Sequence, residues 1–412
     1  MVKSKKKTSF YIVDDDPIVV KLMEALLKDA GFSVTTSTDS SEAIHDIARK
    51  KPDCVIGDLM MPEVDGLMLC KQVLGHKDLK NTKFIVVSAK AYEFDLKRSY
   101  EFGAHGFIRK PINPETFTDK INRILDDHID MTFWGVRGTL PVSGRKTLKY
   151  GGNTSCMTLE FPRQQFFIFD CGSGIKNLGN WFMAQNRRGI NAKIFISHPH
   201  WDHINAIPFF TPLYIQGNEF EVLGANQGDI TMRHIVSAQM ESVYFPITLA
   251  QFASRVYFHD LEEENLVVSN IDVQTKLLSH PGKCLGYRVN YNGRSVCYIT
   301  DNEMYVETSP FYDPHYEKRL AEFVEGADVL ITDTTYTDEE YMTKEGWGHS
   351  CISKVVNLAD TAKVKQLFLF HHDPDQNDDA IDAKLETPQA MLKARKSKTK
   401  CLAPHEGQSF KV

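Results

Sequence analysis

The densest group of chemically capable side chains follows a short apolar run near the middle of the chain. Residues 194–203 read Ile-Phe-Ile-Ser-His-Pro-His-Trp-Asp-His, which places three imidazoles and one carboxylate within six residues. A lone histidine is usually structural, but four such groups after a buried strand would leave polar atoms without partners unless a metal binds them. Nitrogen and carboxylate ligands suit zinc, manganese or iron better than calcium. His198, His200, Asp202 and His203 are therefore predicted metal ligands.

A second group, of acidic side chains, lies near the start of the chain. Asp14, Asp15 and Asp16 follow one strand-like run, and Asp58 follows another. Because parallel strands end at the same edge of a sheet, these carboxylates should converge and bind a hard divalent cation. Asp16 precedes Pro17, and this pair is the expected N-cap and first position of a helix. We therefore assign Asp16 to the helix and the other three to the site.

A hydroxyl and a cation complete the acidic group. Ser88 ends the next strand-like run, and Lys110 follows the last one. Both lie where the oxygens of a transferred phosphoryl group need hydrogen bonds and positive charge. The predicted chemistry of this group is a carboxylate that accepts a phosphoryl group.

The two groups need different scaffolds. In the first part of the chain, apolar runs such as Ser9–Val13 and Cys54–Ile56 alternate with helical patterns, which predicts an α/β doubly wound parallel sheet. Later segments are rich in strand-like runs, glycine, asparagine and aromatic residues. Histidine is concentrated there as well, so metal chemistry belongs to that part. We expect one domain over residues 1–128 and a second over residues 129–412.

The composition excludes several classes of protein. The 412 residues are 42% hydrophobic and 25% charged, and the net charge of −6 disfavours binding to nucleic acid or anionic membranes. No apolar run approaches the ~20 residues that cross a bilayer. The eight cysteines are scattered without a CxxC pair, and no cleavable apolar segment follows the basic start. These features predict a cytoplasmic protein that does not contact membranes.

The N-terminal residues resemble the receiver domain of two-component response regulators. The matching motifs, in chain order, are Asp14-Asp15, the segment Asp58–Gly66, Ser88-Ala89 and Lys110-Pro111. The resemblance implies a five-stranded doubly wound sheet that is phosphorylated by a histidine kinase or a phosphotransfer protein. No helix-turn-helix pattern or basic recognition helix follows, so the output of the switch must be the second domain.

The same resemblance assigns the individual roles. Asp58 is the phosphoacceptor, and Mg²⁺ is held by Asp14, Asp15 and Asp58. Ser88 and Lys110 contact the phosphoryl group, while the aromatic switch residue is Phe107. An aspartyl phosphate would draw Ser88 inward and hold Lys110, which biases a two-state surface around the switch residue.

The C-terminal part resembles the metallo-β-lactamase superfamily, which implies an αββα sandwich with two divalent transition metal ions (Zn, Mn or Fe). Its remaining motif residues, each after a strand-like run, are Asp170, His280, Asp301 and His371. By this resemblance one ion is held by His198, His200 and His280. The other is held by Asp202, His203 and His371, with Asp301 as the bridging carboxylate. Asp170 would support the site without binding metal.

The final histidine ligand is ambiguous between two adjacent residues. His371 and His372 both follow the run Leu367–Phe370, and successive residues leaving a strand point in opposite directions. The family pattern favours His371. His372 and Asp373 would then orient the ligands from behind.

A glycine-rich segment suggests the reaction. Gly346–Ser350 resembles the GHS element of the transfer-RNA 3′-processing and related phosphodiesterase branch, which implies that His349 is a general acid. A surface histidine after a glycine turn is the alternative. Two metal ions that share a hydroxide can clamp both the attacking and the leaving oxygen at phosphorus. A metal-bridging hydroxide and His349, with Asp301 between the ions, are thus the expected catalytic groups.

The leading hypothesis is a response regulator whose output is a dimetal phosphodiesterase acting on a cyclic nucleotide or a similar small diester. An RNA-processing nuclease is an alternative, although the short stretch between His280 and Asp301 leaves no room for an RNA-gripping arm. A non-catalytic di-iron redox or oxygen sensor, and a hydrolase of lactams or thioesters, also remain open. The segment 204–279 carries several aromatic residues that could form a lid or a homodimer surface, namely Phe209, Phe210, Tyr214 and Tyr244.

Overall fold

A computed structural model of the chain describes residues 7–62, 64–89, 93–162, 165–185, 187, 189–269 and 271–412. The basic start of the chain and Glu63 of the acidic motif lie outside this range. Two compact units divide the chain, with the first running to His128 and the second starting at Ile129. All eight cysteines are buried and free.

The N-terminal unit is built on a parallel sheet of five strands in the order β2-β1-β3-β4-β5. The strands are β1 Ser9–Val13, β2 Ser33–Ser37, β3 Cys54–Asp58, β4 Lys83–Ser88 and β5 Gly106–Arg109. The helices are α1 Pro17–Asp29, α2 Ala43–Lys50, α3 Gly66–Gly75, α4 Glu93–Glu101 and α5 Pro114–Asp126. The predicted doubly wound five-stranded sheet is confirmed.

Helices cover both faces of this sheet because its central strands are apolar on both sides. One buried cluster joins the sheet to α1 and α5 through Met23 and Ile121, and another joins it to α2 and α3 through Ile47 and Val73. Asp16 caps α1, since its carboxylate accepts hydrogen bonds from the backbone amides at the start of the helix. The N-cap role predicted for Asp16 is therefore correct.

The C-terminal unit contains two mixed sheets of seven strands, in the orders β11-β10-β9-β8-β7-β6-β19 and β12-β13-β14-β15-β16-β17-β18. The strands are β6 Asp130–Gly135, β7 Cys156–Glu160, β8 Phe166–Phe169, β9 Asn191–Ile196, β10 Glu219–Ala225, β11 Arg255–Leu261, β12 Asn265–Val268, β13 Ile271–Leu277, β14 Leu285–Tyr291, β15 Arg294–Ile299, β16 Val329–Asp333, β17 Gln366–Phe370, β18 Lys400–Leu402 and β19 Ser409–Lys411.

The helices of this unit are α6 Ile175–Ala184, α7 Trp201–Ile204, α8 Met232–Ala238, α9 Pro314–Phe323, α10 Asp338–Tyr341, α11 Ile352–Thr361 and α12 Asp378–Ala394. Five of them pack on the faces of the two sheets. One buried cluster ties α6 and α8 to the first sheet, and a second ties α9, α11 and α12 to the other. The predicted αββα sandwich is confirmed.

Aromatic rings fill the space between the two sheets. Phe169 and Phe195 of the first sheet contact Tyr287 of the second at ring-centroid distances of 5.8 and 5.2 Å. Phe133 contacts Phe368 in the same way at 5.6 Å. Ring pairs at this spacing stabilise a contact beyond the area that they bury. They hold the ends of strands from both sheets at a fixed separation.

The segment 204–279 mainly extends the sheets. It contributes β10 and β11, which add two parallel strands to the first sheet. Phe210 is fully buried and Tyr214 packs against the same cluster, so the prediction of a lid is wrong for these two residues. Phe209 and Tyr244 are exposed. Among the described residues, none of the helices combines the length and apolar character needed to cross a membrane.

Candidate functional site

The acidic residues of the N-terminal unit meet at the carboxyl edge of its sheet. Asp14, Asp15 and Asp58 bring carboxylate oxygens within 4.8 Å of one another. Lys110 Nζ lies 2.8 Å from Asp14 Oδ2 and 3.3 Å from Asp58 Oδ1, so one cation pairs with two carboxylates. The third, Asp15, is exposed. The arrangement leaves an oxygen-rich position that suits Mg²⁺.

The pKa of Asp58 is raised above its ordinary value, mainly by burial. Burial raises the pKa of Asp58, Lys110 lowers it, and the neighbouring charge of Asp14 raises it further. Ser88, at the end of β4, and Phe107, on β5, are both buried beside this edge. All the residues predicted for the phosphoryl site therefore lie at one edge, except that Phe107 points into the core cluster beneath it.

The candidate metal ligands of the C-terminal unit also follow strands. His198 comes after β9, His280 after β13, Asp301 after β15 and His371 directly after β17. These strands belong to both sheets, so the site lies where the ends of the two sheets meet. The remaining residues, His200, Asp202 and His203, come from the loop after β9 and the short helix α7.

The ligand atoms form two groups that share one carboxylate. The first consists of His198, His200, His280 and Asp301, and the second of Asp202, His203, Asp301 and His371, with the atoms of each group within 4.8 Å of one another. Across the second group, His371 Nε2 lies 3.1 Å from Asp202 Oδ2 and 3.1 Å from Asp301 Oδ1. Nitrogen and carboxylate sets of this size suit divalent transition metals.

The free ring nitrogens face inward because the other nitrogen of most ligands is already bonded. His280 Nδ1 lies 2.8 Å from the carbonyl oxygen of Gly348, and His371 Nδ1 lies 3.0 Å from Thr335 Oγ1. His203 Nδ1 lies 2.8 Å from Asp170 Oδ2. Such outer contacts fix the tautomer and the ring orientation that a metal ligand needs.

Asp170 supports the ligands without joining either group. Its carboxylate accepts hydrogen bonds from the backbone amide and hydroxyl of Ser197, from His203 and from the hydroxyl of Tyr298. Tyr298 belongs to β15 of the other sheet. This one buried carboxylate therefore connects the two sheets behind the site.

Burial and neighbouring charges shift the pKa values of most predicted ligands toward the protonation state that binds metal. Burial lowers the pKa of His198, His200 and His280, which favours neutral imidazoles. Burial opposes ionisation of Asp301, but the nearby histidines hold the pKa of Asp301 well below its ordinary value. Neutral histidines and an ionised carboxylate are the metal-binding forms.

His203 lies among three carboxylates. Burial alone lowers the pKa of His203, but Asp202, Asp301 and Asp170 together raise it well above its ordinary value. In addition, His198 Nε2 and His203 Nε2 are buried without a hydrogen bond, although carboxylate oxygens lie 3.1 and 3.2 Å from the latter. Divalent cations would satisfy both features, so the residues present fit metal binding.

The structure resolves the choice between the two adjacent histidines geometrically. His371 faces Asp202 and Asp301, whereas both ring nitrogens of His372 are buried without a hydrogen bond in the described part of the chain. Asp373 pairs instead with Lys344 at 3.3 Å. Neither His372 nor Asp373 reaches a ligand, so the prediction that they orient ligands is wrong. His372 faces away from His371 because successive side chains alternate as the strand ends, and Asp373 is held by its ion pair with Lys344.

Backbone strain accompanies the site. Asp170 and His371 both adopt left-handed backbone conformations, with φ of 58° and 60°. Residues other than glycine avoid this region unless surrounding contacts impose it, and such residues cluster at functional sites. Gly138 is required beside them, because a Cβ atom there would lie 2.0 Å from the His371 ring.

His349 lies at the edge of the second ligand group. Its ring stacks on His371 with centroids 5.0 Å apart, and its Nδ1 lies 2.8 Å from Asp333 Oδ2. Burial lowers the pKa of His349, but the charge and hydrogen bond of Asp333 outweigh burial and raise it to about 9. The alternative of an isolated surface histidine does not describe this buried, paired ring.

A buried glutamate fixes the loop that carries His349. Glu303 accepts hydrogen bonds from the backbone amides of Gly346 and Gly348 at 2.8 and 2.7 Å, and from the Tyr341 hydroxyl at 2.7 Å. Its side chain is almost completely buried. Since the Gly348 carbonyl also faces His280, Glu303 holds both the loop of His349 and the contact of His280 in place.

Sequence reasoning missed Asp333, Thr335 and Glu303. Asp333 ends β16 at the same edge of the sheet as Asp301 and His371, and its position after a strand-like run was the available signal. No local pattern identifies Glu303, because its partners are backbone amides about forty residues later in the chain. A cleft of about 500 Å³ opens over both ligand groups and is lined by His200, His280, His349, Trp201 and Trp347 among others.

Each of the two units matches a known protein family. Residues 166–372, half of the chain, match the model of the beta-lactamase superfamily domain. The chain belongs to the beta-lactamase superfamily. Residues 10–122 match the response regulator receiver domain. The protein is thus a receiver domain joined to a metallo-β-lactamase-fold domain.

Individual relatives each cover one unit. The Bacillus subtilis alkaline phosphatase synthesis transcriptional regulatory protein PhoP is 32% identical over 114 residues, 28% of this chain and 47% of that protein. The chain spans about half the length of the curated relatives that it matches. The metallo-β-lactamase-fold protein YhfI of Bacillus subtilis covers 69% of this chain and all of its own, at 16% identity and a TM-score of 0.50. The short form of human tRNase Z covers 68% of this chain and 98% of its own, at 20% identity and a TM-score of 0.45.

The receiver domain yields a test of the phosphoacceptor. Asp58→Asn should abolish phosphorylation by acetyl phosphate with Mg²⁺, because an amide cannot form the acyl phosphate. Asp16→Asn is the matched control and should be phosphorylated normally, since asparagine also caps helices. Intact-mass spectrometry measures the phosphoprotein. Phosphorylation that persists in Asp58→Asn would show that another residue is the phosphoacceptor.

The adjacent histidines provide a test of the metal centre. The wild-type protein should retain about two equivalents of divalent metal after gel filtration, and His371→Ala about one, since it removes a ligand of the second group. His372→Gln should keep both, because that ring contacts no ligand. Elemental analysis of the purified proteins gives the metal content. Equal loss in both variants would contradict the ligand assignment.

Proposed function

We propose that the chain is a phosphorylation-controlled response regulator whose C-terminal domain is a metal-dependent phosphodiesterase. The observation that carries the proposal is the position of His349, a ring held by Asp333 and stacked on His371 at the edge of the two ligand groups. A proton donor at such a position suits the departure of an alkoxide oxygen from phosphorus.

Both ligand groups are needed for this chemistry. The divalent ions that they would hold supply a nucleophile from water at neutral pH and neutralise negative charge on phosphoryl oxygens. The first ion would be held by His198, His200 and His280, the second by Asp202, His203 and His371, and Asp301 would bridge them. Zinc, manganese and iron all suit these nitrogen and carboxylate ligands.

His349 acts on the leaving group. Asp333 binds Nδ1 of its ring, which leaves Nε2 for proton transfer. The charge of Asp333 stabilises the imidazolium form and holds the ring in one orientation. Glu303 keeps the loop in register, so the acid does not have to be ordered when the substrate binds.

A small diester fits better than RNA. The stretch between His280 and Asp301 forms the hairpin of β14 and β15 within the sheet, so it supplies no protruding arm. The net charge of −6 also disfavours a long polyanion. Cyclic nucleotides and similar small diesters are the proposed substrates.

The receiver domain supplies control. Asp58, Asp14 and Lys110 form the charge cluster in which an aspartyl phosphate would rearrange the ion pairs of Lys110. A histidine kinase or a phosphotransfer protein is the proposed phosphoryl donor. Turnover in the second domain is the proposed output.

The hydrolase activity can be tested with bis(p-nitrophenyl) phosphate and a panel of cyclic nucleotides, using metal-loaded protein. His200→Ala and Asp301→Ala should lose activity together with metal. His349→Ala should lower kcat by about 10²–10⁴-fold while metal content stays at the wild-type level. His315→Ala, which changes an exposed histidine on α9, is the control and should be fully active. A fully active His349→Ala protein would rule out the acid role, and no turnover by loaded wild-type protein would favour a sensor or carbonyl substrates.

Regulation is tested on the same full-length protein. Acetyl phosphate should change the turnover of wild-type protein and leave that of Asp58→Asn unchanged, because only the former can be phosphorylated. The rate is measured with and without the donor, and phosphorylation is followed by intact mass. Equal turnover in fully phosphorylated and unphosphorylated wild-type protein would contradict control by the receiver domain.

A further inference from the structure

Two exposed tryptophans stand at the cleft above the metal-ligand groups. Trp201 is 80% exposed and Trp347 is 61% exposed, and both line this cleft. The chain has four tryptophans, and the other two, Trp134 and Trp181, belong to a hydrophobic cluster. Tryptophan is usually among the more buried residues, and exposed apolar surface at a cleft marks a ligand site.

Both indoles extend from anchored backbone. Trp201 is the first residue of α7 and directly follows His200. Trp347 lies between Gly346 and Gly348, whose amides donate to the buried carboxylate of Glu303. Because the backbone at both positions is already fixed, a ligand that stacks there has little main-chain order to impose.

Lys344, which pairs with Asp373, contacts one of the two indoles. Lys344 Nζ lies 5.7 Å from the centre of the Trp347 ring and 4.5 Å from that of Tyr336. A cation over an indole restrains the ring by a cation–π contact. The cleft thus combines flat aromatic surface with ligands for ions that attract phosphate.

We propose that Trp201 and Trp347 bind a flat aromatic ring of the substrate by stacking, which makes nucleobase-bearing or aryl-bearing phosphodiesters the preferred substrate class. The phosphodiester in this inference rests on the proposed function, whereas the stacking of an aromatic ring does not. Indole rings stack on any base because every base has a π-face. The two tryptophans therefore determine specificity for the ring, and the ions held by the metal-ligand groups bind the phosphate.

The test measures binding, so it does not depend on turnover. Metal-loaded full-length protein is titrated calorimetrically with AMP and ribose 5-phosphate, which differ by the base, and with phenyl and cyclohexyl phosphate, which differ by planarity. Wild-type protein should bind AMP about 5- to 100-fold more tightly than ribose 5-phosphate. Phenyl phosphate should also exceed cyclohexyl phosphate. If the affinity ratio of AMP to ribose 5-phosphate exceeds that of phenyl to cyclohexyl phosphate, the preferred ring is a nucleobase. If the two ratios are equal, the site accepts aryl rings in general.

Substitutions locate the ring. Trp201→Leu and Trp347→Leu should each reduce the preference for AMP, while Trp201→Phe and Trp347→Phe should retain part of it. Tyr244→Leu changes a residue that is 76% exposed and does not line this cleft, so it should bind as wild type does. Equal binding of AMP and ribose 5-phosphate by wild-type protein, or an unchanged preference in both Leu variants, overturns the proposal. Preferential AMP binding by a protein that cleaves no diester would contradict the phosphodiesterase activity and leave the ring site standing.

Discussion

The C-terminal domain is organised around one buried carboxylate that belongs to two ligand groups at once. Asp301 faces imidazoles on both sides, and burying such a charge is costly unless opposite charge or hydrogen bonds compensate it. The compensation must come from residues after β9, β13 and β17, which belong to different sheets. The two sheets therefore have to end at one place, and the aromatic packing between them fixes that geometry.

A second layer of buried acids holds this arrangement. Asp170 connects His203 to Tyr298 across the sheets, and Asp333 connects His349 to the same edge. Glu303 accepts hydrogen bonds from two backbone amides as well as from the Tyr341 hydroxyl, so it positions a whole loop. Each acid receives several hydrogen bonds, as buried carboxylates require. The predicted ligands, the His349 ring and the loop that carries Trp347 are consequently parts of one hydrogen-bonded structure.

The receiver domain also depends on buried carboxylates, but it compensates their charge differently. Its buried carboxylates, Asp14 and Asp58, are both paired with Lys110. Phosphorylation would change that balance by adding charge and acceptor oxygens, whereas the metal-binding domain needs a balance that stays constant. The proposed function would therefore join a charge cluster that phosphorylation changes to one that divalent cations neutralise.

The sequence alone determined both folds and most of the site, because local motifs such as residues 198–203 and the acidic pair Asp14-Asp15 concentrate ligands within a few positions. It also placed later ligands after strands, where the carboxyl ends of strands meet. Only the tertiary structure separated His371 from His372, since that choice depends on which way each side chain leaves β17. Only it revealed Glu303, because contacts to backbone amides leave no residue pattern, and the exposure of two tryptophans at one cleft, because burial depends on the whole fold.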